Sequence, residues 1–261
     1  MGDIRSTIQT TEAVRWLRPT FAEEFPELIA GFSLRHGGVS APPFATLNLG
    51  LSTGDRPEHV LENRRRLAEA VGFDVERLAL AGQVHGAKVR VVEAPGLYPG
   101  YDGLVTTAAD LVLGITAADC AAVLLCDPQR RVLGACHAGW RGVVGGIVAA
   151  TIAAMRELGA QPEALHVYVS PCIGPAHFEV GEEVAARFEP EVVRRRPEWP
   201  RPHVDLKQAI VRRLVQEGVP EAQIEVAPHD TAACTADFFS YRAEGGRTGR
   251  MLGFIGRMAL P

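Results

Sequence analysis

Three short segments of the chain place a soft or borderline metal ligand at the end of an apolar run. Gln83-Val84-His85-Gly86 follows Leu78–Ala81, Ala118-Asp119-Cys120 follows Leu111–Thr116, and His137-Ala138-Gly139-Trp140-Arg141-Gly142 opens where Arg131–His137 closes. Two imidazoles and a thiolate, with a fourth position left to water, form the ligand set of a catalytic zinc site. The thiolate leaves one net positive charge on Zn²⁺, enough to polarise a carbonyl or imine and to acidify a bound water. The same residues allow a second chemistry, with Cys120 as nucleophile, His137 as its general base, and Asp119 or His85 as the orienting group. A third alternative is purely structural: two hydrogen-bonded histidines and a small buried thiol.

The chain has five cysteines, an odd number with no C-x-x-C pair, which indicates free thiols. Strand alternation turns Cys136 to the opposite face from His137 and makes it a core residue. Cys126, at the far end of its strand, is also packing. Cys172, in Ser170-Pro171-Cys172-Ile173-Gly174-Pro175, is the competitor to Cys120, and Cys234 carries no signal of its own. Arginines sit in glycine-containing loops: Arg35 in Ser33–Ser40, Arg141 after His137, and Arg242 and Arg250 in Phe239–Arg250. Glycine lets backbone approach a ligand, and a guanidinium fork matches phosphate or carboxylate. Together they point to an anionic or ribose-bearing substrate.

The elements that must position these residues are legible in the hydrophobic pattern. Strands are expected at Ala30–Leu34, Lys88–Val92, Leu111–Thr116, Ala121–Cys126, Arg131–His137, Leu165–Ser170, Gln223–Ala227 and Met251–Ile255. Helices are expected from Pro57, capped by Asp55, to Gly72, with Val60, Leu61, Leu67, Ala68 and Val71 inward. A second runs from Val143 to Leu158 and is apolar nearly all round. A third runs from Asp205 to Glu217, with Leu206, Ile210, Leu214 and Val215 inward. Interleaved strands and helices give an α/β class, a mixed α+β sandwich with helices layered over mixed β-sheets, as one domain across residues 1–261.

Composition narrows the function classes. With 47% apolar and 22% charged residues, a net charge of −4 and pI near 6.1, nothing favours a nucleic-acid or anionic-membrane partner. The first twenty residues are charged and lack an apolar core, so a cytoplasmic protein is expected. The apolar run Gly142–Met155 is too short against the ~20 residues that span a bilayer. There is no G-x-G-x-x-G, no G-x-x-x-x-G-K-[ST], no G-x-S-x-G and no H-E-x-x-H. No heptad or exposed apolar helix face points to an oligomer.

The three ligand segments, with Leu47-Asn48-Leu49-Gly50-Leu51 and Phe238-Phe239-Ser240-Tyr241-Arg242, resemble the laccase-domain family from about Gly31 to Ile255. Members of that family have been labelled polyphenol oxidases, peptidoglycan editing factors and purine nucleoside phosphorylases. The resemblance implies a mononuclear zinc or copper centre at His85, Cys120 and His137. It implies phosphorolysis of adenosine, inosine and methylthioadenosine, with adenosine deamination, so that purine nucleoside and phosphate are the partners. It also implies that Arg35, Asn48, Gln83 and Arg141 line the pocket together with Arg242. Arg35 and Arg141 would then hold phosphate, and Asp119 or a bound water would protonate the leaving purine. The chain departs from the family at Ala121-Ala122, where a proline is common, and at Arg242-Ala243, where a second arginine is usual. Four-copper chemistry needs more histidines than the eight present, arranged as H-x-H pairs that this chain lacks. Single-site copper stays open, because a divalent site favours Cu²⁺ over Zn²⁺ in affinity. The family reading leaves two other classes in play, a cysteine-type amidase acting on a cell-wall precursor and a binding module with a vestigial site.

Overall fold

A computed structural model describes residues 6–11 and 13–258 of the chain. Two sheets pack face to face. The first has seven strands in the order β1 (Thr7–Thr11), β2 (Val14–Arg18), β3 (Leu28–Ser33), β15 (Met251–Arg257), β8 (Val112–Ala117), β4 (Leu78–Ala81) and β6 (Gly96–Tyr98). The second has six, in the order β14 (Ile224–Val226), β11 (His166–Val169), β9 (Ala121–Asp127), β10 (Val132–Ala138), β7 (Gly103–Thr106) and β5 (Val89–Val91). A small ribbon pairs β12 (Val193–Arg194) with β13 (His203–Val204), inside the Pro- and Arg-rich stretch 189–202 and just beyond it.

The central strands β9 and β10 are apolar at almost every position because both of their faces are covered. Ala122, Leu124, Cys126, Leu133 and Ala135 face the first sheet and join Phe32, Leu113, Ile115 and Ile255 in the inter-sheet core. Their neighbours Ala121, Val123, Leu125, Cys136 and Ala138 face outward, onto α4 (Ile147–Glu157) and α6 (Leu206–Gln216). On the far side α2 (Pro57–Val71) lays Leu67 and Ala68 over Val112, Leu252 and Phe254 of the first sheet, while α1 (Phe21–Glu24) and α5 (Glu182–Ala185) are single turns. The result is a four-layer α/β/β/α sandwich of mixed α+β class. Among the described residues no helix is long and apolar enough to cross a membrane.

All eight expected strands are present, with ends displaced by up to two residues. The helices need three corrections. Asp55 does not cap α2; its carboxylate accepts from Ser40, Asn48 and the Arg56 N–H instead. Leu61 and Val215 are exposed, since each lies just outside its helix's buried stripe. The segment expected as one helix from Val143 to Leu158 is two, α3 (Trp140–Val144) and α4, broken where Gly146 takes φ +88°. α4 is nevertheless covered on two sides, by the sheet and by α6.

Candidate metal centre

His85, Cys120 and His137 meet at one end of the sandwich. The loop after β4 carries His85 in a left-handed conformation, φ +59°, with Gln83 at φ +30°. Two anchors impose that shape. The Gln83 amide docks on Thr116, donating through Nε2 to the carbonyl at 2.7 Å and accepting through Oε1 from the N–H (2.9 Å) and hydroxyl (2.8 Å). The Asp102 carboxylate, fully buried just before β7, accepts the consecutive N–H groups of Val84, His85 and Gly86 at 3.0, 3.0 and 2.8 Å. Successive main-chain N–H groups turned inward make an anion nest, and here the anion is a side chain of the protein.

His137 sits in the same frame. It is the penultimate residue of β10, its main-chain N–H donates to Asp102 O at 2.7 Å, and its Nδ1 lies 2.9 Å from Asp102 Oδ1. With Nδ1 committed to the carboxylate, Nε2 is the ring nitrogen left to meet a ligand. Cys120 follows Asp119, which takes φ +82°, in the turn between β8 and β9. Its sulfur occupies space that any side chain at position 139 would claim. A Cβ on Gly139 would lie 2.7 Å from Sγ and 3.4 Å from His85 Cδ2.

The three ligand atoms lie within 4.8 Å of one another, the only such group of three among the described residues. The two imidazoles stand edge to face, 78° apart, with centroids separated by 4.8 Å. Burial grades across the group. His137 is buried, Cys120 half-buried and His85 exposed, so the cluster opens on one side. Burial pushes the Cys120 thiol up, but the charge and hydrogen bonding of His137, then of His85, outweigh it and bring it down to about 6. Burial works against the His137 imidazolium, yet Cys120 and Asp102 raise it to about 9. Asp102, despite burial, is held below the ordinary carboxylate range by His137 and the Gly86 and Val84 N–H groups. A thiolate, two imidazoles and an open face fit a divalent ion.

The cluster forms part of the floor of a cavity of about 480 Å³, within the range of small-molecule sites. Trp140, Phe178 and Tyr241 supply aromatic wall, and Arg141, Arg242 and Arg250 supply positive charge. Arg141 lies over the Trp140 ring, 4.3 Å from its centroid, and Arg242 reaches the carbonyls of His177 and Glu179 at 3.1 Å each.

Other expected site residues are held by the chain itself. Gln83 borders the cavity, but its amide is spent on Thr116. Asp119 also borders it, yet both oxygens are engaged: Oδ1 accepts from Thr231 Oγ1 (2.7 Å) and Oδ2 from the Arg242 N–H (2.6 Å). It braces the Arg242 turn. Arg35 lies off the cavity, its guanidinium donating to the carbonyls of Ala45, Thr235 and Phe238 and to Glu244, and stacked on Phe239 at 4.4 Å. Asn48 is wholly buried and binds Gly50, Thr53, Asp55 and the Arg250 N–H.

The remaining thiols are packing residues. Cys126, Cys136 and Cys172 are buried, and burial pushes each up to about 12. Ala122 gives its N–H to Ser170 Oγ at 2.9 Å, a bond that proline at this position could not make. Asp102 was missed from the sequence. Its one signal there is an acid, in Tyr101-Asp102-Gly103, directly ahead of an apolar run.

Residues 29–258 match the family model described as multi-copper polyphenol oxidoreductase laccase. A protein of Deinococcus radiodurans named purine nucleoside phosphorylase is 44% identical over 230 residues, 86% of this chain and 87% of that one. Purine nucleoside phosphorylase YlmD of Geobacillus stearothermophilus is 39% identical over 94% of this chain and 96% of its own. The crystal structure of YlmD superposes with a TM-score of 0.90 at 36% identity, covering 97% of this chain and 100% of that one. Bacillus licheniformis YfiH, a hypothetical protein, gives 0.87 at 30% identity, covering 96% and 98%. The sequence match and the shared fold converge: this chain belongs to the polyphenol oxidoreductase laccase family.

Proposed function

We propose that the protein is a zinc-dependent purine nucleoside phosphorylase acting on adenosine, inosine and methylthioadenosine in the cytoplasm, with adenosine deamination as a second activity. The observation that carries this reading is the meeting of His85, Cys120 and His137 on the floor of a cavity walled by aromatic rings and arginines. The names of the relatives supply the reaction class. His85, Cys120 and His137 would hold the ion, and a bound divalent ion supplies Lewis acidity to a substrate oxygen or nitrogen. Thiolate and imidazole donors with an open face suit zinc, and copper is the competing occupant.

The chain's own groups do the rest. Trp140, Phe178 and Tyr241 offer flat apolar surface to the purine. Arg141 and Arg242 set positive charge at the mouth, where phosphate enters. Phosphate oxygen attacks the anomeric carbon, the C–N glycosidic bond breaks, and its electron pair leaves on the purine, which takes up a proton. In deamination, water adds at purine C6 and ammonia departs. Asp119 positions the wall in both reactions. The test is metal analysis of protein purified without added metal, paired with chromatography of products from inosine plus phosphate. About one zinc per chain and phosphate-dependent release of hypoxanthine are expected, both lost in Cys120→Ala. Inosine turnover that survives chelation and Cys120→Ala overturns the reading.

One observation favours a second reading, a cysteine hydrolase or amidase. His137 lies between Asp102 and Cys120, the order of orienting acid, base and nucleophile. Rapid iodoacetamide labelling of Cys120 that metal loading leaves unchanged selects this alternative.

A further inference from the structure

We infer that Arg250, together with Ser52, forms an oxyanion subsite on the inner wall of the cavity and takes inorganic phosphate. The identity of the anion rests on the phosphorolysis reading; the existence of the subsite rests on geometry alone.

Arg250 is fixed at both ends of its backbone. Its N–H donates to Asn48 Oδ1 at 2.9 Å, and its carbonyl accepts from the Leu49 N–H at 2.9 Å. Its stem lies against Gly50, where a Cβ would come within 2.7 Å of Arg250 Cγ. The Asn48 amide also donates to Thr53 Oγ1 at 2.9 Å, so the same buried side chain sets the short turn Leu51–Thr53 that carries Ser52. Arg250 and Ser52 both border the cavity that holds Cys120. One asparagine therefore positions a guanidinium and a hydroxyl on a common wall.

The guanidinium is only partly satisfied. Its hydrogen bonds run through Nη1, to the carbonyls of Thr248 (3.0 Å) and Gly249 (2.9 Å), and leave Nε and Nη2 for a ligand. Among the described residues no carboxylate pairs with it. Arg35, by contrast, is saturated by three carbonyls and Glu244, and Arg242 spends both terminal nitrogens on His177 and Glu179. A half-buried cation without a counter-ion is costly until an anion arrives, and a fork plus a hydroxyl suits a tetrahedral oxyanion. Arg250 borders the same cavity as Cys120, His85 and His137, which places it beside the reaction centre.

The test is titration of the metal-loaded protein with inorganic phosphate by calorimetry, alongside the KM for phosphate and for inosine. Arg250→Met is expected to weaken phosphate binding at least about tenfold and to raise the phosphate KM, with the inosine KM changed less than about twofold. Ser52→Ala, on an exposed turn, is expected to weaken phosphate binding about threefold and keeps the test open if the arginine variant fails to fold. Phosphate affinity unchanged in the folded variants overturns the subsite, as does wild-type protein that binds no phosphate. Phosphate binding that depends on Arg250, in protein that does not cleave inosine, upholds the subsite and rejects the nucleoside reading alone.

Discussion

Asp102 Oδ1 lies 2.9 Å from His137 Nδ1 and 3.0 Å from the main-chain nitrogen of His85. One buried carboxylate thus fixes the ring of one candidate ligand and the backbone of the other. In Asp102→Asn one acceptor becomes an N–H donor facing N–H groups, and both histidines loosen together. Zinc affinity, read by competition with a chromophoric chelator, is expected to fall about 10–100-fold. Wild-type affinity in the folded variant would remove the link between the two ligands.

Gly139 is the second sensitive position. In Gly139→Ala the new Cβ meets the Cys120 sulfur at 2.7 Å, and the flanking residues are held in β10 and α3. Shifting the sulfur by an ångström is expected to cost about 100-fold in kcat/KM. Metal content measured by emission spectroscopy should fall with it. Undiminished zinc content and turnover would show that the turn yields without consequence.

Asp119 braces the Arg242 turn through Oδ2 and Thr231 through Oδ1. Asp119→Asn is expected to raise KM about tenfold and to leave kcat and its pH profile near wild type. A collapse of kcat with loss of one limb of the pH profile would instead make Asp119 the proton donor.

Glu225 makes stability depend on pH. Burial raises this carboxyl above its ordinary 4.5, only partly offset by the Thr20 hydroxyl and N–H, each 2.7 Å from Oε2. The folded chain therefore keeps its proton to higher pH than the unfolded chain. That stabilising contribution is complete below 4.5 and fades as pH rises through the folded value. The urea midpoint of the wild type should decline across this window, and Glu225→Gln should flatten the decline. An identical slope in both proteins would show that Glu225 is not its source.

The three candidate ligands were legible because each follows or ends an apolar strand, while strand alternation set Cys136 aside and Cys126 lies at the far end of its strand. Asp102 was not, since its contact with His137 spans 35 residues and leaves no local pattern. The places of Arg35 and Asn48 have a physical reason. A glycine-containing loop that approaches a ligand has the same composition as one that approaches the chain's own backbone, and here both residues bind the chain itself. The break between α3 and α4 was hidden because apolar residues continue across Gly145-Gly146.

β15 pairs with β3 on one edge and β8 on the other, although more than a hundred residues separate it from β8. Until Met251–Arg257 is inserted, the first sheet is two unconnected pieces, and Arg250 at its head has no wall to complete. That strand is the keystone: it locks the two halves of the sheet together and sets Arg250 against the cavity that Cys120 borders.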